Sequence, residues 1–400
     1  PDASVLSTSP ELRMFLRAAA VTTAEAADLN RPHVGPPVKI ALAAMRRDSA
    51  AFALWLEYYL EYLEFDLLIL RVEDCPQCRT LIEPYGQKVI ASYVSYEGGG
   101  TFDNYHTMMK RQTDHVHNAL QICSQKGIAF LLHSDADELL YVQPNPRRPS
   151  LARARVLREF LSGVPAEYSS IHMGNYEAMY PRFNEKDSDA CFLTNRFVRC
   201  GTGKAPYCLS YMNGKAIARV DAKIVYSHLD GSTSLGPVRA NGPHRFFGLE
   251  YDICKFNPVN PVLAVLHYDA CTLDQWEHKF RLLKDVTRKG DNQTTVKDTP
   301  LYYQESIRLQ QARAQDPRNA AIAKESRRFY ERMKVLPFYH NDYFTFNIWG
   351  ENSPLARRVE DWSQSDPKIQ LAARNAFNRT DPETWLGARQ KVFFEEAFLQ

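Results

Sequence analysis

The stretch Phe130-Leu-Leu-His-Ser-Asp135-Ala-Asp137-Glu-Leu-Leu140 decides the fold and points to the chemistry. An apolar run of strand length leads directly into two carboxylates that are separated by one residue. Residues i and i+2 of an extended chain share a side, so Asp135 and Asp137 are predicted to project together from a strand end. One or two carboxylates working with substrate phosphates are the usual protein ligands of Mg²⁺ or Mn²⁺. The stretch therefore predicts a divalent-metal site.

The sequence before this stretch alternates between short apolar runs and longer segments with helical spacing. Helices are predicted over Phe52–Phe65 and Asn104–Lys126. The predicted strands are Val38–Ala44, Asp66–Val72, Lys88–Val94 and Ile128–His133. This alternation is typical of an α/β protein in which helices cover both faces of a sheet. Ligands of such sheets bind beyond the carboxyl ends of the strands, where Asp135 follows the fourth strand.

The composition excludes some classes of partner. The chain has 400 residues, with 49 Lys and Arg against 47 Asp and Glu, so its net charge is only +2. This balance favours neither a nucleic acid nor an anionic membrane surface as the main partner. The basic pairs Arg46-Arg47 and Arg147-Arg148 are interpreted as solvated faces. No run is apolar enough to predict a membrane span, and a chain that begins at Pro1 is compatible with a preceding anchor or signal segment.

Cysteines and sequons bear on the compartment. Cys75-Pro-Gln-Cys78 is compatible with a redox pair or half of a zinc site, but a plain loop or a local disulfide is favoured because no second C-x-x-C is present. Asn292-Gln-Thr and Asn378-Arg-Thr are glycosylation sequons. They favour a secretory lumen such as the Golgi over the cytoplasm.

Several segments, taken in order, resemble a known family. They are Met45-Arg-Arg-Asp48, Leu54-Trp-Leu-Glu-Tyr-Tyr59, Val72-Glu-Asp74, the helix with Gln112 and Asn118, Asp135-Ala-Asp137-Glu138, Thr194-Asn-Arg-Phe197, Gly214-Lys-Ala-Ile-Ala-Arg219, Pro243-His244 and Leu266-His-Tyr268. Their order and spacing are similar to those of GT-A fold glycosyltransferases of family 2, and particularly of the family 92-like branch. The resemblance covers roughly residues 38 to 285.

The resemblance implies a GT-A (Rossmann-like) mixed sheet flanked by helices. It also implies a metal-dependent, inverting transfer of a sugar from a nucleotide-sugar donor, of UDP type, to a glycan or other hydroxyl acceptor. Mn²⁺ or Mg²⁺ would be held by Asp135, Asp137 and His267. The residues implied to bind the nucleotide-sugar are Asp74, Gln112, Asp135, Lys215 and His244.

An inverting transfer needs a base for the acceptor hydroxyl. Glu177 is the first candidate, because a strand that ends in a Gly-containing turn would present it at the cleft, and Asp230 is the second. The chain departs from the family pattern at Asp48-Ser49, where Asn and Glu are more common, and at the loop that contains Cys75 and Cys78. These departures leave the nucleotide preference open.

The predicted organisation has three parts. Residues 1–37 form a helical extension and linker, 38–285 the catalytic domain and 286–400 a helical extension. Within the catalytic domain, 38–142 form the nucleotide-sugar half and 143–285 the acceptor half. Two alternatives stay open: a metal-dependent nucleotidyl or phosphoryl transferase that uses the same aspartates, and an inactive transferase-like glycan-binding protein. The absence of a G-x-x-x-x-G-K-[ST] loop disfavours the first, and the retained aspartate pair disfavours the second.

Overall fold

The computed structural model of the chain describes residues 38–47, 51–95, 105–145, 148, 150–180, 191–192, 194, 196–199, 214–227, 232–253, 261–283, 301–334 and 344–345. The predicted N-terminal helical extension and linker, 1–37, and the end of the predicted C-terminal extension, 346–400, lie outside these residues. The chain divides into two compact units. The first takes up Pro1–Asn175 and Met212–Leu266, and the second takes up Tyr176–Tyr211 and His267–Gln400.

The strands are, in chain order, β1 Ile40–Arg46, β2 Leu67–Glu73, β3 Val89–Val94, β4 Phe130–His133, β5 Glu138–Val142, β6 Ser170–Met173, β7 Asn175–Met179, β8 Arg196–Arg199, β9 Lys215–Arg219, β10 Lys223–Ser227, β11 Thr233–Pro237, β12 Ala240–Asn241, β13 Arg245–Phe246, β14 Glu250–Asp252, β15 Leu263–His267 and β16 Phe344–Thr345. The helices are α1 Phe52–Glu57, α2 Pro76–Ile82, α3 Tyr105–Gln125, α4 Arg153–Gly163, α5 Leu273–Leu283, α6 Leu301–Gln315 and α7 Ala320–Lys334.

The first unit is built on a seven-stranded sheet with the order β14-β6-β9-β4-β1-β2-β3. β1 pairs in parallel with both β2 and β4, and β2 pairs in parallel with β3. β9 is antiparallel to both of its neighbours, β4 and β6. The amino end of β9 therefore lies at the same edge as the carboxyl ends of the other strands. This reversal brings Lys215, the first residue of β9, to the edge at which β4 ends.

The core of this unit lies between the sheet and helix α3. Ala41 and Ala43 of β1 and Leu131 of β4 are fully buried against Val116 and Ala119 of α3. Every residue of β1 and β4 is buried, which explains why these strands are continuously apolar instead of alternating. Each large apolar side chain in this core, such as Leu131 and Val116, stabilises the fold by roughly 1.5–3 kcal/mol through its removal from water. Burial on this scale holds the carboxyl edge of the sheet in one arrangement.

The helix predicted over Phe52–Phe65 is shorter than expected and changes its geometry. The α-helix ends at Glu57 and continues as a π-helical turn, Tyr58–Tyr62. Wide turns of this kind are rare and often occur next to functional sites, because they shift the direction in which side chains project. Here the wide turn buries Tyr58 and Tyr59.

The second unit contains its own core and a disulfide. In this unit, β7 pairs with β8 and β8 with β16, all antiparallel. Trp276 and Phe280 of α5 are fully buried against residues of α6 and α7 such as Tyr302 and Tyr330. The disulfide joins Cys191 to Cys271.

The predicted fold class, an α/β protein with a mixed sheet flanked by helices, is confirmed. The four predicted strands before Asp135 are present as β1 to β4, and the long predicted helix is α3. The short strands β5 and β7 were not predicted. No helix among the described residues combines the length and apolarity that a membrane crossing requires.

Candidate functional site

The turn between β4 and β5 carries both aspartates of the D-x-D stretch. Glu138, the first residue of β5, closes this turn with its buried side chain. Its Oε2 accepts hydrogen bonds from the backbone N–H of Asp135 at 2.7 Å and from the Ser134 hydroxyl at 3.3 Å. The backbone N–H of Glu138 donates in turn to the Asp135 carbonyl at 3.2 Å. This reciprocal pattern fixes the backbone from which Asp135 and Asp137 project.

Asp135 is held by side chains from two other elements. Its Oδ1 accepts a hydrogen bond from Gln112 Nε2 of α3 at 2.8 Å, and its Oδ2 lies 2.6 Å from Lys215 Nζ of β9. Burial raises the pKa of Asp135, but the charge of Lys215, its hydrogen bond and smaller effects of other neighbours together outweigh burial, so the pKa lies below its usual range. Asp135 is therefore ionised at neutral pH. The structure thus brings together three residues that were predicted from separate segments.

Lys215 is buried and faces a strongly acidic environment. Besides Asp135, it lies 3.7 Å from Oε2 of Glu138 and donates to the Pro243 carbonyl at 3.4 Å. Burial lowers the pKa of Lys215, whereas Asp135 and Glu138 raise it by more, so Lys215 is charged. Since this ammonium already holds Asp135, its direct part in the structure is to position that carboxylate. Its predicted contact with a phosphate stays a prediction.

His133, which directly precedes the turn, is buried and neutral. Its Nδ1 lies 2.6 Å from the Pro243 carbonyl, and an acceptor there requires the proton to be on Nδ1. Burial and the nearby Lys215 charge lower the pKa of His133 to about 3. His133 thus supports the loop around Pro243.

The predicted ligand His244 lies beside the same edge. Its Nδ1 is 3.0 Å from the carbonyl oxygen of Gly214, the residue before Lys215. Gly214 has a φ of +59°, and a Cβ there would lie 1.9 Å from the Met173 carbonyl oxygen. Only glycine fits this position, so the close approach of the end of β6 to the start of β9 depends on it. The role of His244 in nucleotide binding stays a prediction.

The interpretation of Arg46 as part of a solvated face is wrong. Arg46 is 4% exposed, its guanidinium lies over the Phe52 ring, and its Nη1 donates to the Ala136 carbonyl at 2.6 Å. It therefore holds the middle residue of the D-x-D turn. The sequence indicates this role through the position of Arg46 at the end of an apolar run, because residues at such strand ends lie beside the ligand-binding edge of the sheet.

The aromatic segment after β1 braces β5 by hydrogen bonds. Trp55 Nε1 donates to the Glu138 carbonyl at 3.2 Å, and the Tyr58 hydroxyl donates to the Leu140 carbonyl at 2.8 Å. The Tyr59 hydroxyl accepts from the Leu140 N–H at 3.0 Å. Through these contacts, the Leu54–Tyr59 segment holds in place the strand that follows the D-x-D stretch.

At the end of β2, the buried carboxylate of Glu73 forms ion pairs with three arginines. Its oxygens lie 2.7 Å from Arg71 Nε, 2.8 Å from Arg47 Nη2 and 2.9 Å from Arg111 Nε. Burial raises the pKa of Glu73, while the three guanidiniums lower it below its usual range.

The next residue, Asp74, is exposed and has a positive φ of 50°. Its predicted contact with a nucleoside stays a prediction. A disulfide joins Cys75 to Cys78, in agreement with the local pairing favoured from the sequence.

The position expected for Glu177 is wrong. Glu177 lies inside β7, not at a strand end, and it is fully buried within the second unit. Its Oε1 is 2.7 Å from His267 Nδ1 and its Oε2 is 3.1 Å from Lys334 Nζ. Burial raises the pKa of Glu177, but His267 and Lys334 lower it by more. A carboxylate that already accepts hydrogen bonds at both oxygens and has a lowered pKa is poorly suited to be the base.

Two predicted residues remain to be placed. His267 is the last residue of β15, and its predicted role in metal binding stays a prediction. Asp230, the second candidate base, lies outside the described residues.

The donors around the turn fit a divalent cation. Asp135, Asp137 and Glu138 place three carboxylates near a single ammonium, Lys215, which leaves two negative charges in excess. Asp137 is half-buried in the turn, so a cation can reach its carboxylate, and that carboxylate is only partly hydrated. Carboxylate oxygens in excess are the donors that Mg²⁺ and Mn²⁺ prefer.

Comparisons with known proteins point to transferases. No family model matches the chain. It is 27% identical over 157 residues to a glycosyltransferase-like protein of Arabidopsis thaliana, a match that covers 36% of this chain and 30% of that protein. A second glycosyltransferase-like protein of Arabidopsis thaliana is 28% identical over 182 residues, which cover 41% of this chain and 30% of that protein. The chain thus spans about a third of the length of these relatives.

Solved structures give more distant matches. One is 4-diphosphocytidyl-2C-methyl-D-erythritol synthase from Anaerococcus prevotii, with a TM-score of 0.24 and 9% identity over 46% of this chain and 70% of that one. Another is a mannose-1-phosphate geranyltransferase from Thermus thermophilus, with a TM-score of 0.21 and 10% identity over 76% and 73% of the two chains. Both TM-scores are too low to establish a shared fold.

Proposed function

We propose that the chain is a metal-dependent glycosyltransferase. It transfers a sugar from a nucleotide-sugar donor of UDP type to a hydroxyl group of a glycan or similar acceptor, with inversion. The observation that carries this proposal is the D-x-D turn at the carboxyl end of β4, where α3 and β9 both hold Asp135. Similarity to two glycosyltransferase-like relatives supports the same class of reaction.

Asp137 is the residue that would hold the metal, and Asp135 positions the turn. Both oxygens of Asp135 already contact Gln112 and Lys215, so its carboxylate is oriented before any ligand arrives. Asp137 shares the turn and is half-buried. A bound Mn²⁺ or Mg²⁺ would supply positive charge to the diphosphate as it leaves. Lys215, buried beneath the turn, keeps Asp135 ionised and prevents it from turning away.

The reaction needs a base, and the buried Glu177 does not fit that role. Asp230 is the remaining candidate from the sequence. The orienting contacts of Gln112 and Lys215 contribute in another way. They remove the need to reorganise the turn when the donor binds, which lowers the entropic cost of the productive complex.

The first experiment measures release of nucleoside diphosphate from UDP-, GDP- and CMP-sugars, with and without Mn²⁺ or Mg²⁺. Asp137→Asn is compared with Asp114→Asn, which changes an exposed carboxylate on α3 of the same unit. Metal-dependent release from one donor, lost in Asp137→Asn and kept in Asp114→Asn, is the expected result. Equal activity in the two variants would refute the metal assignment.

The same assay separates the proposal from its alternatives. A nucleotidyl transferase would release pyrophosphate from nucleoside triphosphates and leave nucleotide-sugars intact. A binding protein would retain a glycan and release nothing. The anomeric configuration of the product, read by proton NMR, tests inversion.

A further inference from the structure

A second cluster of potential metal ligands lies at the same edge of the sheet, on strands β6 and β14. His172, Glu250 and Asp252 each place a ligand atom within 4.8 Å of the other two. β6 and β14 pair in parallel, with Asp252 opposite His172 and Glu250 opposite Ser170. Residues that pair directly, and residues two apart on one strand, share a face of the sheet. The backbone therefore aims all four side chains at one side.

The spacing and burial of this cluster suit a small cation. His172 Nδ1 and Asp252 Oδ1 are 3.4 Å apart, longer than most N–H···O hydrogen bonds. Two ligands of a tetrahedral Zn²⁺, each about 2.0–2.1 Å from the ion, lie about 3.3–3.4 Å apart. The side chains of His172 and Asp252 are 7% and 14% exposed. This separation is therefore the one that two ligands of a shared ion would have.

The carboxylates of the cluster also suit a cation. Glu250 Oε1 accepts from Arg245 Nη1 at 2.7 Å, and the Glu250 side chain is 17% exposed. The two carboxylates, Glu250 and Asp252, are thus largely removed from water. A divalent ion would interact favourably with both of them, with Arg245 kept as a partner that orients Glu250.

Ser170 provides an independent indication. It is 1% exposed, and its hydroxyl has no hydrogen-bond partner among the residues that the structure describes. Buried hydroxyl groups are nearly always paired, so an unpaired one calls for a ligand or an ordered water. Ser170 shares its face with His172 and stands opposite Glu250. A water bound to a metal at this cluster would be a suitable partner for it.

We propose that His172, Glu250 and Asp252 bind a divalent transition metal, with Zn²⁺ as the preferred ion and Ser170 bonded to its water. Imidazole and carboxylate ligands with an open position for water are typical of zinc sites. β9 separates this cluster from the D-x-D turn, and β6 and β14 lie two and three strand spacings from β4, which amounts to about 10–14 Å. The site is thus distinct from that of the donor metal, and it does not rest on the proposed function.

Zn²⁺ binding to metal-free protein, measured by isothermal titration calorimetry, tests this proposal. The unmodified protein is compared with Asp252→Asn, with Glu250→Gln and with Asp137→Asn, which alters the other cluster. We expect a Zn²⁺ site that Asp137→Asn keeps and that Asp252→Asn weakens by more than about 100-fold, since loss of a direct ligand exceeds the usual effect of losing an outer partner. Zn²⁺ should also raise the midpoint of thermal unfolding in the unmodified protein and in Asp137→Asn, but not in Asp252→Asn.

Two outcomes overturn the proposal. One is equal Zn²⁺ affinity in the unmodified protein, Asp252→Asn and Glu250→Gln. The other is the absence of any Zn²⁺ site except one that Asp137→Asn removes, which would leave His172 and Asp252 as an ordinary pair. Glu250 lies on an edge strand and is partly exposed, so Glu250→Gln keeps the test available if Asp252→Asn fails to fold. The visible absorption of Co²⁺ bound to the unmodified protein gives a further measure of ligand geometry.

Discussion

Replacing Lys215 by methionine tests whether this lysine positions the D-x-D turn. Methionine retains much of the buried aliphatic chain, so the change mainly removes the charge. Asp135 Oδ2 would lose its contact at 2.6 Å and Glu138 its ion pair at 3.7 Å. Asp135 would keep Gln112, and Glu138 would keep the Asp135 N–H and the Ser134 hydroxyl.

The expected loss of stability follows from these remaining contacts. Breaking a buried ion pair by removing one partner costs about 3–5 kcal/mol. The side chain of Asp135 is 27% exposed and keeps one hydrogen bond, so the lower end applies. We expect Lys215→Met to lower the free energy of unfolding by about 3 kcal/mol at pH 7. Urea unfolding, followed by both fluorescence and circular dichroism, measures this difference.

The pH dependence of this loss has a definite sign. Asp135 has a lowered pKa in the folded protein, so it contributes stability above its unfolded pKa of about 4 and loses it as the pH falls through the folded value. In Lys215→Met, burial acts without the opposing ammonium and raises that pKa. The difference in stability between the two proteins should therefore shrink as the pH falls below about 4.

Lys110→Met is the matched control. Lys110 pairs with Asp114 at 2.5 Å on the surface of α3, where the two side chains are 75% and 58% exposed. Exposed pairs four residues apart on a helix contribute only about 0.3–0.5 kcal/mol. If Lys215→Met is no less stable than Lys110→Met, the buried lysine does not hold the turn and the argument fails.

Three further predictions concern stability. Gly214→Ala should lower the free energy of unfolding by more than about 2 kcal/mol, because the new Cβ would clash with the Met173 carbonyl. Gly127 also has a positive φ, but a Cβ there would meet nothing within 4 Å, so Gly127→Ala should cost only about 1 kcal/mol. Equal midpoints of thermal unfolding for the two variants would contradict the clash. Glu177→Gln should lower the free energy of unfolding by about 3–5 kcal/mol at pH 7, because Lys334 and His267 lose a buried partner, and this loss should shrink as the pH falls through the lowered pKa of Glu177. The surface change Glu331→Gln, measured alongside by urea unfolding, should cost under about 1 kcal/mol. A similar cost for both variants would argue against the buried network. Tyr59→Phe should cost about 1–3 kcal/mol because the Leu140 N–H loses its contact with the hydroxyl, and a variant as stable as the unmodified protein in the same assay would show that β5 does not need this brace.

The sequence by itself determined the fold class and the strand end that carries the two aspartates. Strands β1, β2 and β4 are almost entirely buried, and that burial requires continuous apolar runs which are visible without a structure. The two aspartates follow such a run, so their place at a ligand-binding edge followed from the general behaviour of parallel strands. The resemblance of their segments to a family also points to Gln112 and Lys215.

Only the tertiary structure decided which polar side chains meet. Arg46 and Arg47 are neighbours in the chain, yet Arg46, the last residue of β1, is buried and holds the D-x-D turn, whereas Arg47 pairs with Glu73. Glu177 was expected to face a cleft but is buried, since the short strand β7 has no periodicity that reveals its surroundings. The reversed direction of β9 places Lys215 against Asp135, 80 residues away along the chain. Local patterns determine strands and helices, whereas contacts over such separations depend on how the strands are ordered in the sheet.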